Sequence, residues 1–436
     1  MIDYEAQRDR LIEYFKSGEK NREEKRIGIE FEHFIIDKES LKSISYYGEN
    51  GVEEVLKEIE KKGWEGYYND DYLLGLRKEP YTISTEPAAQ FELSIDAQEN
   101  IDDLVKYYTS FMEELFPILD ENGQTMIALG YHPVTKIDDI TISPKKRYDY
   151  MYNYFKKCGE TASAAHNMMK GTCAVQVAID YFSEEDCVNK YRVGSALSPI
   201  LYAMYDNSYI FESKPYESYN LRQYIWENTD KKRSGVLPTA FDSDFSYSKY
   251  ADYILNSDII FTDNDGVLKS TEGKLFKDIF DPSIHGDDEI YHAVSIVFPD
   301  LRLKRYLEFR MMDAVPYPLN FSAAALIKGL MYSEENLNKL VDIFGGLSYE
   351  DVQEAKKSTS KFGMKAIYMG KEISEWADLL IDMAKKGLSE EEKKYLQSIE
   401  ELSRKGINPR VLFKNIYEEE GLKAAVLKEK IEVTDV

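Results

Sequence analysis

The sequence predicts an α+β fold in which a mainly antiparallel β-sheet is flanked by helices and followed by a helical C-terminal part. Before Leu319, segments with strand periodicity mix with segments with helix periodicity, without the regular spacing of βαβ units. From Leu319 onward the pattern is almost wholly helical. We therefore expect a core over residues 1–318, with residues 319–436 packed on it as part of one continuous domain.

The N-terminal elements follow from apolar spacing and from the residues that end each pattern. A first helix is predicted over residues 4–16 and stops at Gly18. The next elements, in order, are a strand at 26–36, a helix at 52–62, a strand at about 82–94, a helix at about 100–121 and a strand at 124–130.

The middle of the chain continues this alternation. Ser183, followed by Glu184, Glu185 and Asp186, predicts the start of a long helix that runs to about residue 209. The other elements predicted here are a helix near 147–157 and strands at 172–180, near 293–298 and at 301–312.

The chain is strongly acidic, with a formal net charge of −24 from 79 acidic and 55 basic side chains. Such a surface repels a phosphate backbone and an anionic membrane, so we expect neither nucleic acid nor membrane as a partner. An anionic substrate such as ATP would need a bridge between like charges. Divalent metal ions held by carboxylates would supply one.

The sequence also predicts a cytoplasmic location. The N-terminus has no basic segment followed by an apolar stretch, so we expect no signal peptide. No run reaches the roughly 20 apolar residues that span a bilayer. Cys158, Cys173 and Cys187 form neither a C-x-x-C pair nor an even set, which indicates reduced thiols. The oligomeric state stays open.

Four predicted strands carry polar side chains on one face, because alternate residues of a strand point to opposite sides of a sheet. On the first, Glu30 and Glu32 lie opposite Ile29 and Phe31. The polar faces of the other three strands carry, in order, Glu86, Gln90 and Glu92; Gln176 and Asp180; and Arg302, Lys304, Tyr306, Glu308 and Arg310.

The simplest explanation of any one such strand is a face in contact with water. Two details count against it. Nearly all these side chains are long carboxylates or guanidiniums, and like charges adjacent on one strand face repel each other unless a cation lies between them. Carboxylates on one sheet suit Mg²⁺, and an Arg- and Lys-bearing strand suits phosphate oxygens. The pattern predicts a metal–phosphate cleft and does not name the reaction.

Several enzyme classes have no support in the sequence. The chain has no P-loop, no Rossmann glycine pattern, no H-E-x-x-H and no G-x-S-x-G. By strand parity His33 faces the apolar side, so we expect a core histidine there. His132 is expected in a turn, and Cys173 is expected to be structural.

Six segments occur along roughly residues 25–315 in a fixed order: Gly28–Glu32, Glu86–Ser94, Thr172–Val177, Lys190–Gly194, Leu221–Pro238 and Leu301–Arg310. Together they resemble the motifs of the plant- and proteobacterial-type glutamate–cysteine ligases (γ-glutamylcysteine synthetases), a carboxylate–amine ligase family. The helical C-terminal part matches only loosely.

The resemblance implies a catalytic core over residues 1–318, similar to the catalytic domain of glutamine synthetase, whose antiparallel sheet curves into a funnel. It implies ATP as co-substrate and two or three Mg²⁺ ions held by Glu30, Glu32, Glu86, Glu92, Gln176 and Glu308. Arg302, Lys304 and Arg310 would face the triphosphate. The implied catalytic residues are Arg222, Arg233 and Arg310, of which the first two would contact carboxylates of the amino-acid substrates.

The implied chemistry is two in-line steps. The γ-carboxylate of glutamate attacks the γ-phosphate of ATP to give γ-glutamyl phosphate and ADP, and the amine of cysteine then displaces phosphate. The product would be γ-glutamylcysteine, in the first step of glutathione biosynthesis.

The chain departs from the family pattern at three places. Ala88-Ala89 stands where Gly-Gly is usual, Gly171 where close relatives have Arg, and Ala178 where the pattern has Asn. Gly171 and Ala178 are expected near the amino-acid pocket, so they motivate an alternative hypothesis of a γ-glutamyl ligase for another amine. A third hypothesis is a non-catalytic relative that binds nucleotide or glutamate.

Overall fold

The protein, as a computed structural model, is described over residues 3–264 and 267–433. The strands are β1 (Ile27–Asp37), β2 (Glu65–Asn69), β3 (Tyr72–Lys78), β4 (Tyr81–Thr85), β5 (Phe91–Gln98), β6 (Gln124–Ile127), β7 (Val175–Ile179), β8 (Ile210–Phe211), β9 (Lys214–Pro215), β10 (Ser234–Gly235), β11 (Phe261–Asn264), β12 (Val267–Ser270), β13 (Phe298–Pro299), β14 (Leu301–Leu303), β15 (Leu307–Phe309), β16 (Ile367–Tyr368) and β17 (Lys371–Glu372).

The α-helices make up much of the remainder. They are α1 (Tyr4–Lys16), α2 (Val52–Glu60), α3 (Ile101–Glu121), α4 (Lys146–Cys158), α5 (Ala165–Gly171), α6 (Glu184–Ala196), α7 (Ser198–Met204), α8 (Leu221–Glu227), α9 (Tyr247–Leu255), α10 (Asp287–Ser295), α11 (Leu319–Met331), α12 (Glu334–Phe344), α13 (Tyr349–Phe362), α14 (Ile373–Gly387), α15 (Gln397–Arg404), α16 (Pro409–Glu420) and α17 (Leu422–Lys428). In the described ranges, no helix is both long enough and apolar enough to cross a membrane.

One large antiparallel sheet organises the molecule. Its order is β14-β15-β7-β1-β5-β4-β3-β2, and β6 pairs with the C-terminal half of β1. The helices from α11 onward form the C-terminal part, and α11 packs against β1 and β7 while α14 packs against α11. The predicted α+β class, the antiparallel sheet and the helical C-terminal part are confirmed.

The central strand β1 shows the alternation that the sequence predicts. Ile29 and Phe31 are buried in the hydrophobic core, and Glu30 and Glu32 project from the other face. A single cluster of buried apolar side chains extends from Leu11 to Ile431 and includes residues on both sides of position 318. The division at residues 318 and 319 therefore stays a prediction.

Two predicted strands are hairpins instead. The segment at about 82–94 contains β4 and β5 joined by a turn, because Pro87 has no N–H for a strand ladder and Ala89 adopts a left-handed φ of +63°. The segment at 301–312 reverses between Leu303 and Leu307, where the Lys304 amide donates to the Tyr306 carbonyl at 2.8 Å.

One further helix and one further strand are shorter than predicted. The long helix from Ser183 ends at Ala196; a second helix, with Pro199 in its first turn, ends at Met204. Proline has no N–H to continue the preceding helix's hydrogen bonds, which accounts for the break. The strand predicted near 293–298 shrinks to Phe298–Pro299, since α10 extends to Ser295.

A buried acid joins the last helix to the core. The Asn207 side-chain amide donates to the Glu429 carboxylate at 3.0 Å, just beyond the end of α17. Burial raises the pKa of Glu429 from its ordinary value of 4.5 to about 7. The carboxyl group is therefore held in a place that favours its neutral form.

We expect Glu429→Gln to stabilise the protein at pH 8 by about 1–2 kcal/mol. Because the folded-state pKa lies above the unfolded value, folded protein binds more protons between about pH 4.5 and 7, and wild-type stability falls as pH rises through that window. Urea unfolding at pH 5 and pH 8 measures the difference. Glu432→Gln, at an exposed residue of the same tail, is the control and should change neither value. An equal pH slope in wild type and Glu429→Gln would contradict the prediction.

Candidate active site

A cavity of about 830 Å³ lies over the polar face of the sheet. One row of cross-strand partners forms part of its floor, and its members Glu32, Glu92, Ser84, Gly75 and Tyr67 come from β1, β5, β4, β3 and β2. Directly opposed residues of antiparallel strands share a face, so the ladder itself places these side chains together.

A second row runs parallel to the first, two residues along each strand. Gln176 on β7 opposes Glu30 on β1, and the row continues through Ser94, Thr82 and Arg77. All but Ser94 line the cavity. The two rows bring Glu30, Glu32, Glu92 and Gln176 together at the centre of the sheet, as strand parity predicts.

The folded protein disfavours the ionised form of the three glutamates at this centre. Burial raises the pKa of each, and a neighbouring carboxylate adds to the effect: Glu308 for Glu30, Glu86 for Glu32 and Glu30 for Glu92. The pKa of Glu32 reaches about 8. A cation placed among the three would relieve both the repulsion and the lost hydration.

Hydrogen bonds fix two of these carboxylates. The Ser84 hydroxyl donates to Glu92 at 3.0 Å, and the Gln176 amide donates to Glu32 at 2.9 Å. Carboxylate and amide oxygens are the ligands that Mg²⁺ prefers, so the donor set fits this ion. Within residues 3–264 and 267–433, no three His, Cys, Asp or Glu side chains stand close enough to hold one ion together.

The turn between β4 and β5 brings Glu86 to the cavity, although Glu86 is not in a strand. Gln90 in the same turn is buried away from the cavity: it accepts from the Ala88 amide at 2.8 Å and donates to the carbonyls of Met169 and Thr172. Gln90 therefore fixes the turn.

The left-handed Ala89 makes this turn strained. Because a Cβ is unfavourable at φ +63°, we expect Ala89→Gly to stabilise the protein by about 1 kcal/mol. Ala88→Gly, next in the chain but without a positive φ, should destabilise it. Thermal unfolding of the two variants measures the difference, and equal shifts in the same direction would rule out backbone strain at Ala89.

Glu308 lies behind the cavity wall and is surrounded by three cations. Arg302 donates to its carboxylate at 2.7 and 2.9 Å, Arg310 donates at 3.0 Å, and the Lys304 ammonium lies 3.4 Å away. Burial alone would raise the pKa of Glu308, but these cations hold it well below its ordinary value. The structure thus gives Glu308 an anchoring position, and its role as a metal ligand stays a prediction without support from the geometry.

Arg302, Lys304 and Arg310 line the cavity, as the prediction of a phosphate-facing strand requires. Arg310 donates to the Gln176 side chain, which links this wall to the carboxylates. Three positive charges against the one carboxylate of Glu308 leave a net positive wall beside Glu30. Such a wall suits an anionic substrate.

Arg222 and Arg233 do not line the cavity. Arg233 is 1% exposed and donates to Asp230, to the Tyr154 hydroxyl and to the Ile296 carbonyl. Arg222 is 3% exposed and donates from Nε to the Arg310 carbonyl at 3.0 Å. Their predicted contact with substrate carboxylates stays a prediction, and the geometry places both behind the wall.

The other polar residues and the cysteine that the sequence analysis discussed lie outside the cavity. Asp180 is at the end of β7, where it accepts from the Arg26 amide at 2.8 Å, and it does not line the cavity. His33 is buried and hydrogen-bonded with Tyr108, and Cys173 is buried, as expected. The His132 ring accepts from the amides of the turn that follows it.

Two residues of the cavity wall were missed by sequence reasoning. Lys145 and Arg147, at the start of α4, reach the cavity beside Glu86 and Glu92. The available signal was the basic triplet Lys145-Lys146-Arg147 in an acidic chain.

The fold places a carboxylate-lined cavity over the polar face of an antiparallel sheet, and this arrangement defines the class of protein to which the chain is compared. The chain superimposes on a solved glutamate–cysteine ligase of Francisella tularensis, in complex with AMP, with a TM-score of 0.56 over 93% of this chain and 87% of that one, at 12% identity. This likeness concerns the fold alone.

The sequence comparisons identify the family. The model of glutamate–cysteine ligase family 2 matches residues 26–429. The chain is 32% identical over 413 residues to a chloroplastic glutamate–cysteine ligase of Brassica juncea, covering 92% of this chain and 79% of the relative. It is 31% identical over 419 residues to chloroplastic glutamate–cysteine ligase B of Oryza sativa subsp. japonica, covering 94% and 83%. The chain belongs to glutamate–cysteine ligase family 2.

Proposed function

We propose that this protein joins the γ-carboxylate of glutamate to the amine of cysteine in an ATP- and Mg²⁺-dependent reaction that passes through γ-glutamyl phosphate. The observation that carries the proposal is the set of three half-buried glutamates, Glu30, Glu32 and Glu92, which face one another in a cavity with a net positive wall. Family membership supports the same reaction.

The residues of the cavity have separate tasks in this proposal. Glu30, Glu32, Glu86, Glu92 and Gln176 would hold Mg²⁺, which when bound would neutralise charge on the phosphate and carboxylate oxygens. The remaining wall, with Arg302, Lys304 and Arg310, would orient the triphosphate for in-line transfer. Glu308 keeps these cations in place.

The structure bears on the choice of amine through Gly171 and Ala178. Neither lines the cavity. A Cβ added at Gly171 would lie 2.3 Å from the Tyr131 ring, so the glycine makes room for Tyr131. Gly171 thus has a packing reason unrelated to the amine. Together with the family match, this leads us to favour cysteine.

The test is ADP release from ATP, Mg²⁺ and glutamate with a panel of amines. We expect turnover to be highest with cysteine and γ-glutamylcysteine to be the product. A preference for another amine would establish the alternative γ-glutamyl ligase. Absence of ADP with every amine, at high protein concentration, would leave only the non-catalytic relative.

We also infer a cytoplasmic location. Its support is that Cys158, Cys173 and Cys187 are all free thiols, two of them buried, which suits a reducing compartment. The two relatives named above are chloroplastic enzymes, so fractionation of cells that express a tagged protein is the appropriate test.

A further inference from the structure

Two cations of the cavity have no ion-pair partner at contact distance among the described residues. Seven lysine and arginine side chains line it, and five of them have an acidic partner: Arg302, Lys304 and Arg310 share Glu308, Arg77 pairs with Asp96, and Lys146 pairs with Asp70. Lys145 and Arg147 make no ion pair with any residue that the structure describes. The carboxylates of Glu86 and Glu92 lie near enough to interact with both charges, but neither cation forms an ion pair with them. Both cations therefore keep N–H groups that can bind an anionic ligand.

Both side chains are positioned by their neighbours. The Lys145 ammonium donates to the Thr85 carbonyl at 2.6 Å. Arg147 donates to the Tyr148 hydroxyl at 3.0 Å, and Tyr148 donates in turn to the Thr85 carbonyl at 3.1 Å. The guanidinium carbon of Arg147 lies 4.9 Å from the centre of the Tyr148 ring. Thr85 thus fixes both cations at the end of β4, next to Glu86, and most of the guanidinium N–H groups remain available.

The position of this pair indicates which anion it takes. Three other cations of the cavity, Arg302, Lys304 and Arg310, belong to the opposite end of the sheet, on β14, β15 and their connections. Arg222 and Arg233 do not line the cavity, so we look for a substrate-carboxylate contact among the cations that do. The reacting carboxylate of the substrate would lie over Glu30 and Glu32. The substrate then needs a second contact at the end of the cavity where Glu86 lies.

We propose that Lys145 and Arg147 bind the α-carboxylate of the glutamate substrate, an assignment that rests on the proposed function. The α-carboxylate does not react, so a fixed guanidinium beside an ammonium can hold it throughout turnover. Glutamate held at this end would direct its γ-carboxylate along the cavity floor toward the central glutamates. The phosphates of ATP would then lie at the Arg302 end.

The test compares three single variants of the full-length protein: Arg147→Gln, Lys145→Gln and Lys146→Gln. The last is a matched control, because Lys146 carries the same charge on the same turn but is paired with Asp70. We expect Arg147→Gln and Lys145→Gln to raise the KM for glutamate about 10- to 100-fold, the usual cost of losing a charged hydrogen bond, with the KM for ATP within about twofold. Lys146→Gln should leave both KM values near wild type.

A second readout does not depend on turnover. Glutamate should raise the thermal unfolding temperature of wild type and of Lys146→Gln, and this rise should be lost in Arg147→Gln and partly restored in Arg147→Lys. An unchanged KM for glutamate, or a rise in the KM for ATP instead, would overturn the assignment; the latter would place phosphate at this pair. If wild type shows no turnover, the proposed function fails, and the glutamate-dependent shift still decides between the variants.

Discussion

Glu92→Gln is expected to abolish turnover, by about 100- to 1,000-fold or more, while the protein remains folded. Glu92 opposes Glu32 in the β1–β5 ladder and is hydrogen-bonded by Ser84, so the substitution keeps the shape of the site and removes one anionic oxygen ligand. Burial and the adjacent carboxylates raise the pKa of Glu92, which means that the charge is costly to the folded state. Stability should therefore be unchanged or higher.

The measurements are ADP release, urea unfolding and Mg²⁺ titration of wild type and Glu92→Gln. Asp180→Asn is the matched control, because Asp180 belongs to the same predicted polar face but lies at the end of β7 against the Arg26 amide. It should keep activity within a few-fold. Near-normal turnover in Glu92→Gln would show that the carboxylate centre is not the metal site.

Glu308→Gln is expected to destabilise the fold by about 3–5 kcal/mol. The carboxylate is buried among Arg302, Lys304 and Arg310, and its loss would leave three buried positive charges without compensation. Because the folded-state pKa of Glu308 is depressed, its contribution is present above the ordinary value of 4.5 and is lost as pH falls through the folded-state pKa. The stability gap between wild type and Glu308→Gln should thus narrow in acid.

Urea unfolding at pH 7 and pH 4 measures this gap. Glu335→Gln is the control: it breaks an exposed ion pair with Lys339 and should leave stability close to wild type. The double variant Arg302→Met with Glu308→Leu should recover part of the loss, because one unpaired cation is removed with the anion. If Glu308→Gln were as stable as wild type, groups other than Glu308 would have to neutralise the three cations.

Strand parity correctly placed three of the candidate residues on one face of the sheet. Glu30, Glu32 and Gln176 lie on strands that are paired on both sides, and there the alternation of apolar and polar residues leaves one register that buries Ile29 and Phe31. The same alternation also indicates an antiparallel sheet with one polar face. The main features of the sheet could therefore be read from the sequence.

Strand parity did not predict the positions where the chain turns. Glu86 reaches the cavity from a turn, and the strand from Leu301 to Met312 reverses at Lys304–Tyr306, which the unbroken alternation of side chains does not reveal. Arg222 and Lys145 could not be placed at all, since their distance from the cavity depends on how α8 and α4 pack on the sheet. Tertiary packing, which local pattern does not encode, decided these cases.

The register of β1 also determines how a misfolded chain would differ from a folded one. A slip of one residue would turn Ile29 and Phe31 toward the cavity and Glu30 and Glu32 into the core, so the mispaired chain would lose its apolar packing and two carboxylates of the cavity at once. Such a mispaired chain would expose apolar surface that the folded protein buries, and this exposure is the feature by which misfolded chains differ from folded ones.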